Sequence, residues 1–464
     1  MTTFQSQTQP NPPTLREPPV VRGNHFFGNA RELQADRLGF LLRNLHAYGE
    51  VAQLRVFGRR VYTVYHPDGI KHILQENHAN YVKGPFFDPI RAIAGNGLFT
   101  ADGELWLRQR RLLQPAFHRQ RIASFGQVMT DQAVRMLARW DEAVAAEPDK
   151  PVDVSAEMVR LTMAVVAEAM FGAAVDDEAD AISAAIQVGL EDIQFRFDRP
   201  FYPPLGWPLP HNRRVQAAIR TLDQTVFQII ERRRSSGEEK DDLLGMLMAA
   251  RDEGASRGMD DRQLRDEVIT IFVAGHETTA RLLTWVFYLL DQHPAVAARL
   301  RAELATVLGG RTPTMADLPH LTYTRQVIDE TLRLYPPVWI TNRQALTADD
   351  VMGYRIPAGA LVSISPYAAH RHPAFWTDPE RFDPERFSPE QAAGRHRFAY
   401  LPFGGGPRQC IGNTFALTEA VLILATMAQR YQLRLPPNSH VEVVPQATLQ
   451  PRGGMPMLVT QVAG

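Results

Sequence analysis

The sequence predicts a mainly α protein with minor β, of the α+β class, folded as one large domain. Three observations carry that expectation. Apolar residues recur at helical spacing over most of the chain. Two short patches are rich in β-branched and aromatic residues, the mark of strands. No Gly/Ser linker and no internal repeat divides the 464 residues.

In chain order, residues 1–22 carry prolines at 10, 12, 13, 18 and 19 and read as an extended tail ahead of a domain spanning 23–464. Residues 51–65 read as a β-hairpin around Gly58. Helical periodicity covers 101–113, 126–146, 152–171, 212–234, 260–292, 295–308 and 323–334. Asp260 is placed to cap the longest of these, with Gln263 as its capping-box partner. That helix would run about 45 Å, enough to cross the whole domain. Residues 198–212 hold five prolines and several aromatics and read as an ordered loop between helices. The charge run 231–242 reads as a solvated helix end and loop. The second β-prone patch, 340–364, contains a turn at Gly353-Tyr354. Residues 371–404 are rich in Pro, Arg and aromatics without periodicity, and a coil that long inside a compact domain is usually functional. A last helix begins near Ile411 and continues through Phe415, Ala416 and Glu419.

Composition removes several classes. Hydrophobic residues at 45% and charged residues at 22% exclude a disordered or fibrous chain. A net charge of −1 argues against a general nucleic-acid binder. The single cysteine, Cys410, allows no intrachain disulfide and no cysteine-based zinc site, and gives no sign of an oxidising compartment. The N-terminus lacks an apolar run of signal or anchor length, and Thr284 interrupts the longest run elsewhere, Leu282–Leu290. The expectation is a soluble cytoplasmic protein without a membrane anchor.

The most informative stretch is Phe403-Gly404-Gly405-Gly406-Pro407-Arg408-Gln409-Cys410-Ile411-Gly412. Its glycines permit positive φ and close approach, and Pro407 stiffens the turn. Cys410 is then expected at a helix N-terminus, where free N–H groups favour a thiolate. A lone cysteine is otherwise a small inert core residue, but such a residue needs neither three glycines nor an arginine before it. On these ten residues the chain resembles the cytochrome P-450 superfamily of haem-thiolate monooxygenases, whose signature reads Phe-x-x-Gly-x-Arg-x-Cys-x-Gly. The resemblance implies a haem b cofactor (iron protoporphyrin IX) with Cys410 as the axial iron ligand, framed by Phe403 and Gly412. It also implies the family fold, a long central helix over the haem beside small β-sheets.

Further motifs follow in the family's order. Glu330 and Arg333 share a helix face, and on their own would be an ordinary surface ion pair. With Arg386 in the segment Pro384-Glu385-Arg386-Phe387 they resemble the Glu-x-x-Arg and Pro-Glu-Arg-Phe elements, which implies a buried network holding the long coil. Ala274-Gly275 in the long helix leaves room for something flat, or serves helix packing. The run Ala274–Thr279 resembles the distal-helix motif. By that resemblance Thr278 hydrogen-bonds the bound oxygen molecule and Glu277 helps relay protons; His276, about 100° round the helix from Gly275, is expected in a hydrogen-bonding role away from the iron. Trp106 and Arg110 match Trp-x-x-x-Arg, which with Arg408 implies contacts to the haem propionates; Arg343 joins them on spacing alone.

No flavin-binding or iron–sulfur segment is visible, so electrons are expected from a separate ferredoxin or flavodoxin with its NAD(P)H reductase. Between Ala101 and Arg121 five arginines (108, 110, 111, 119, 121) outnumber two acids, giving a docking face or simply a solvated basic one. Substrate contacts are expected from Phe86 through Leu98, residues 195–209, Val338-Trp339-Ile340 and Thr448-Leu449. Their apolar character suggests a lipophilic substrate: a fatty acid, terpenoid, steroid or polyketide. The expected reaction is insertion of one oxygen atom of O2, by hydroxylation or epoxidation. A haem-thiolate peroxygenase or isomerase is the alternative within the cofactor class. A non-enzymatic haem sensor, or a helical scaffold without cofactor, is the alternative outside it.

Overall fold

The structure is a computed structural model and describes residues 15–172, 176–199, 201–237, 242–250 and 258–462. The helical frame comprises α1 (Gly103–Leu113), α2 (Gly126–Ala146), α3 (Val154–Phe171), α4 (Asp176–Asp198), α5 (Pro210–Ser236), α6 (Asp261–Gln292), α7 (Pro294–Leu308), α8 (Thr322–Leu334) and α9 (Asn413–Arg430). Helix α6, with 32 residues, crosses the core, and its residues Leu264, Val268, Ile269, Phe272, Leu283 and Trp285 are all buried. Asp260 caps it by accepting from the Gln263 N–H at 2.8 Å. The reciprocal half of the expected capping box does not form. The Gln263 amide oxygen accepts from Arg108 of α1 at 2.8 Å instead, so a tertiary contact outcompetes the local one.

Two helices clamp α6. Against α3, a Cβ at Gly275 would sit 3.0 Å from the Val166 side chain, and the Thr162 hydroxyl donates to the His276 carbonyl at 2.9 Å. On another side lies α9, whose Leu422, Ile423 and Leu424 are completely buried. Each such side chain contributes about 1.5–3 kcal/mol of transfer free energy.

The main sheet has five strands: β1 (Val51–Val56), β2 (Arg59–Val64), β3 (Tyr81–Val82), β4 (Thr341–Ala345) and β5 (Leu361–Ile364), in the order β1-β2-β5-β4-β3. The β1–β2 hairpin turns at Phe57 and Gly58, with φ of 47° and 78°, the geometry of a two-residue type I′ turn. Strand β5 runs parallel to β2, with Val61 opposite Leu361. Between β4 and β5, Asp349–Val351 and Tyr354–Ile356 form a second hairpin. Its turn falls at Met352-Gly353 (φ 57° and 78°), one residue before the expected Gly353-Tyr354.

Several expectations shift. The extended segment joins the fold before residue 23: Arg16 pairs with Tyr354, and the Val21 N–H donates to the Gln53 carbonyl at 2.9 Å. Residues 1–14 of the expected tail lie outside the described residues. The charge run is not wholly solvated, because Arg233 makes a buried two-pronged contact with Asp242 at 2.8 and 2.7 Å. Helix α4 and the C-terminal strand pair Tyr431–Arg434 with Pro456–Gln461 had no clear periodicity to reveal them. Among the described residues, no helix is long and apolar enough to cross a membrane.

Candidate active site

The loop before α9 is shaped by close approach. Gly406 has φ of 68°, and a Cβ there would lie 1.9 Å from the Leu74 carbonyl oxygen, so the position excludes side chains twice over. The Cys410 N–H donates to the Phe403 carbonyl at 2.9 Å and closes the loop. Helix α9 starts at Asn413 with Gly412 as its N-cap, so Cys410 sits two residues ahead of the cap rather than at the helix terminus itself. Burial pushes the Cys410 thiol up, opposed by the Gly412 N–H and the nearby Arg110 charge. The expected helix-end stabilisation of a thiolate is thus reduced to one N–H, and desolvation outweighs it. The side chain is nonetheless accessible, which places it on an interior cleft rather than in packed core.

Helix α6 supplies a facing wall. Ala274 is exposed in mid-helix, between the buried Phe272 and His276. The Thr278 hydroxyl donates to the Ala274 carbonyl at 2.8 Å, so both belong to one face. Gly275 does not share it: its side-chain direction meets Val166, and the residue is a helix-packing glycine. Of the small pair, Ala274 alone opens the cleft. His276 turns into the core, its Nδ1 against the Phe272 carbonyl at 2.6 Å, and burial lowers its pKa. Glu419 of α9 is completely buried beside Thr279, and burial pushes its carboxyl up to about 8. That contact brings the start of α9, and the Cys410 loop ahead of it, under the middle of α6.

Glu277 lies beside this face but is already bonded. Its Oε1 accepts from Arg281 Nε at 2.9 Å and from the Thr448 hydroxyl at 2.9 Å. Burial raises its carboxyl, but Arg281, His276 and Thr448 together bring it below the ordinary value.

A cationic cluster flanks the cleft. Arg408 stacks over the Trp106 ring at 4.3 Å and contacts Asp102 at 2.8 Å. Arg343 is half-buried, donating to Thr341 Oγ1 at 3.1 Å, and desolvation with Arg408 nearby pulls it down to about 10. Lys83, unmarked in the sequence except as a lone lysine among aromatics, is buried over Phe87 and Phe99, at 4.9 and 4.7 Å. Desolvation and the charges of Arg343 and Arg408 push its pKa well down. Three buried or half-buried cations therefore share one carboxylate, Asp102, which Arg91 also contacts at 3.2 Å. Arg110 does not join them; it donates to the Gln409 carbonyl at 2.8 Å, and the charge it senses is that of Cys410. An accessible thiol beside an excess of buried positive charge fits a planar iron complex that carries two carboxylates.

The supporting network is fully buried. Arg333 reaches both Glu330 oxygens at 2.7 and 2.8 Å. Its remaining N–H groups hold the carbonyls of His370, Pro379 and Arg381 at 3.0, 2.6 and 3.0 Å. Arg386 faces Glu330 at 3.5 Å as a charge contact without a hydrogen bond, and donates to the Asp378 carbonyl at 2.9 Å. One helical pair thus pins the aperiodic segment 370–386. His370, which the sequence did not single out, extends the pin by accepting the Leu401 N–H at 2.9 Å.

The expected substrate segments divide. Leu98 and Ile340 pack at the edges of core clusters, whereas Val338, Phe201 and Trp207 are exposed. Phe201 meets Phe57 edge-on at 5.5 Å, so the loop from residue 201 lies across the β1–β2 turn. Thr448 is bonded to Glu277 and Leu449 is fully buried.

A family model described as Cytochrome P450 matches residues 18–456. The chain is similar to cyclooctatin synthase of Streptomyces melanosporofaciens, at 38% identity over 96% of each chain. It is also similar to cyclooctat-9-en-7-ol 5-monooxygenase of the same organism, at 39% over 89% of each. Pentalenene oxygenase of Streptomyces avermitilis is 35% identical, over 91% of this chain and 92% of that one. Among solved structures, the heme domain of cytochrome P450DA matches with a TM-score of 0.88 at 28% identity, covering 97% and 98% of the two chains.

Proposed function

The chain belongs to the cytochrome P450 family, and on that premise we propose a substrate class, an electron source and a role for each residue of this site. As a family member it is a monooxygenase that carries haem b, takes a lipophilic substrate and is reduced by a partner. The reaction is RH + O2 + 2e⁻ + 2H⁺ giving ROH + H2O. The substrate is a terpenoid, in line with the two relatives named for cyclooctat-9-en-7-ol and pentalenene. The electrons come from a separate ferredoxin or flavodoxin with its NAD(P)H reductase.

The observation that carries this reading is an accessible cysteine on an interior cleft, beside buried and half-buried cations that outnumber the one carboxylate among them. Haem, when bound, supplies an iron that binds and activates O2. Cys410 would ligate that iron, and coordination would keep the sulfur anionic against the upward pull of burial. Trp106, Arg343, Arg408 and Lys83 would hold the two propionates. Arg110 fixes the Gln409 carbonyl and offsets the thiolate charge. Ala274 leaves space for the macrocycle, Phe403 and Gly412 brace the sulfur, and Thr278 presents a hydroxyl to the oxygen molecule. Glu277 exchanges protons with that hydroxyl. Glu330, Arg333 and Arg386 keep the loop in register.

The ligation test is the spectrum of the reduced protein with carbon monoxide. A strongly red-shifted Soret band is expected, and Cys410→Ser should abolish it; a band that survives the substitution overturns the assignment. Titration with pentalenene, cyclooctat-9-en-7-ol and a fatty acid then tests the substrate class. Spectral shifts and oxidised products confined to the fatty acid would exclude a terpenoid.

A further inference from the structure

Thr448 lies near the C-terminal end of the chain, far in sequence from α6, yet its buried hydroxyl donates to Glu277 Oε1 at 2.9 Å. Arg281 Nε donates to the same oxygen, also at 2.9 Å, and is itself tied to α3 through Ser155 Oγ at 2.7 Å. Among the described residues no donor reaches Oε2. The turn that carries Thr448 is held on two sides. The Leu449 N–H donates to the Pro337 carbonyl at 3.1 Å, and the indoles of Trp285 and Trp339 donate to the Leu449 and Gln446 carbonyls at 2.9 and 2.8 Å. Residues 446–449 therefore bridge the cleft wall around 337–339 and the helix that carries the acid.

A glutamate side chain rotates freely about its last bonds, so two charge-assisted donors on one oxygen fix where the other points. We propose that Thr448 is a positioning residue, which with Arg281 holds Oε1 of Glu277 so that Oε2 is presented to the proton path ending at Thr278. The turn thereby ties the aim of the acid to the cleft wall that a substrate touches. The inference rests on the relay role given to Glu277 above. The charged and polar groups facing that carboxyl are Arg281 and His276 from α6 itself and Thr448 from the turn; from α3, Ser155 reaches Arg281. All three neighbours of the carboxyl favour its ionised form, and Thr448 is the one that can be removed without leaving a charge uncompensated.

The test uses the haem-loaded full chain, reduced by a surrogate ferredoxin and its reductase. The Glu277 carboxyl is titrated by infrared difference against Glu277→Gln. Thr448→Val should raise its proton affinity about tenfold, as loss of a hydrogen bond to a charged group requires. It should also raise the peroxide released per electron pair without added substrate, while the thiolate spectrum stays intact. Thr448→Ser should restore both values. Should Thr448→Val fail to take up haem, Thr448→Ala serves the same comparison. Unchanged titration and peroxide yield in the valine variant, or equal loss in the serine variant, overturns the proposal. If Glu277→Gln itself leaves the peroxide yield unchanged, the relay reading fails first and takes this inference with it.

Discussion

At the scale of single residues the site is built from groups whose neighbours decide their chemistry. Cys410 is an accessible thiol on the interior cleft that its surroundings do not ionise unaided, since one N–H and Arg110 fail to offset desolvation. Thr278 already spends its proton on the Ala274 carbonyl, so its free capacity is as an acceptor and as a donor only after rotation. We expect Thr278→Ala to keep consuming oxygen but to release peroxide in place of product; unchanged coupling would remove Thr278 from the relay. The sequence showed both residues because each sits in a run of fixed spacing. It did not show Lys83 beside Arg343 and Arg408, and it offered Thr448 as a substrate contact and not as the partner of Glu277, because those neighbours lie far away along the chain. It also misplaced Gly275 on the cleft, because a small pair in a helix reads alike whether the glycine faces a cofactor or Val166.

At the scale of elements, the decisive object is the coil from 370 to 404, which has little regular structure of its own. Arg333 on α8 replaces that missing structure with three bonds to coil carbonyls. Arg333→Ala should leave buried Glu330 with only the longer Arg386 contact and cost about 3–5 kcal/mol, read as a lower melting temperature and faster haem loss. Arg333→Lys should rescue little, because an ammonium cannot span a carboxylate and three carbonyls. His370 adds a pH limit. It is completely buried, accepts the Leu401 N–H, and burial holds its pKa at about 3. Its contribution is complete above the ordinary histidine pKa of about 6.5 and is lost progressively as pH falls toward about 3, because the unfolded chain then binds the extra proton. Stability measured between pH 7 and 4 should therefore fall, and His370→Asn should flatten that slope. An equal slope in the variant assigns the acid sensitivity elsewhere. The Glu330–Arg333 spacing was legible in the sequence, but not what the arginine grips, because carbonyls carry no sequence signal.

At the scale of the whole molecule, a nearly neutral chain carries a local basic face. Of the five arginines between 101 and 121, Arg110 is engaged at Gln409 and Arg108 at Gln263, while Arg111 and Arg119 are exposed. Reduction by an acidic partner should slow as salt rises, with Arg111→Glu and Arg119→Glu reducing both the rate and its salt dependence. A rate flat in ionic strength would place docking on another face. The sequence by itself determined the helical class, the long α6, the hairpin and the ten-residue loop around Cys410, because these are local matters of periodicity, turn chemistry and steric permission. Only the tertiary structure decided which face of α6 opens, which cations crowd one aspartate and which hydroxyl bonds Glu277. Those are contacts between segments hundreds of residues apart, and their energies depend on burial that no stretch of sequence possesses alone.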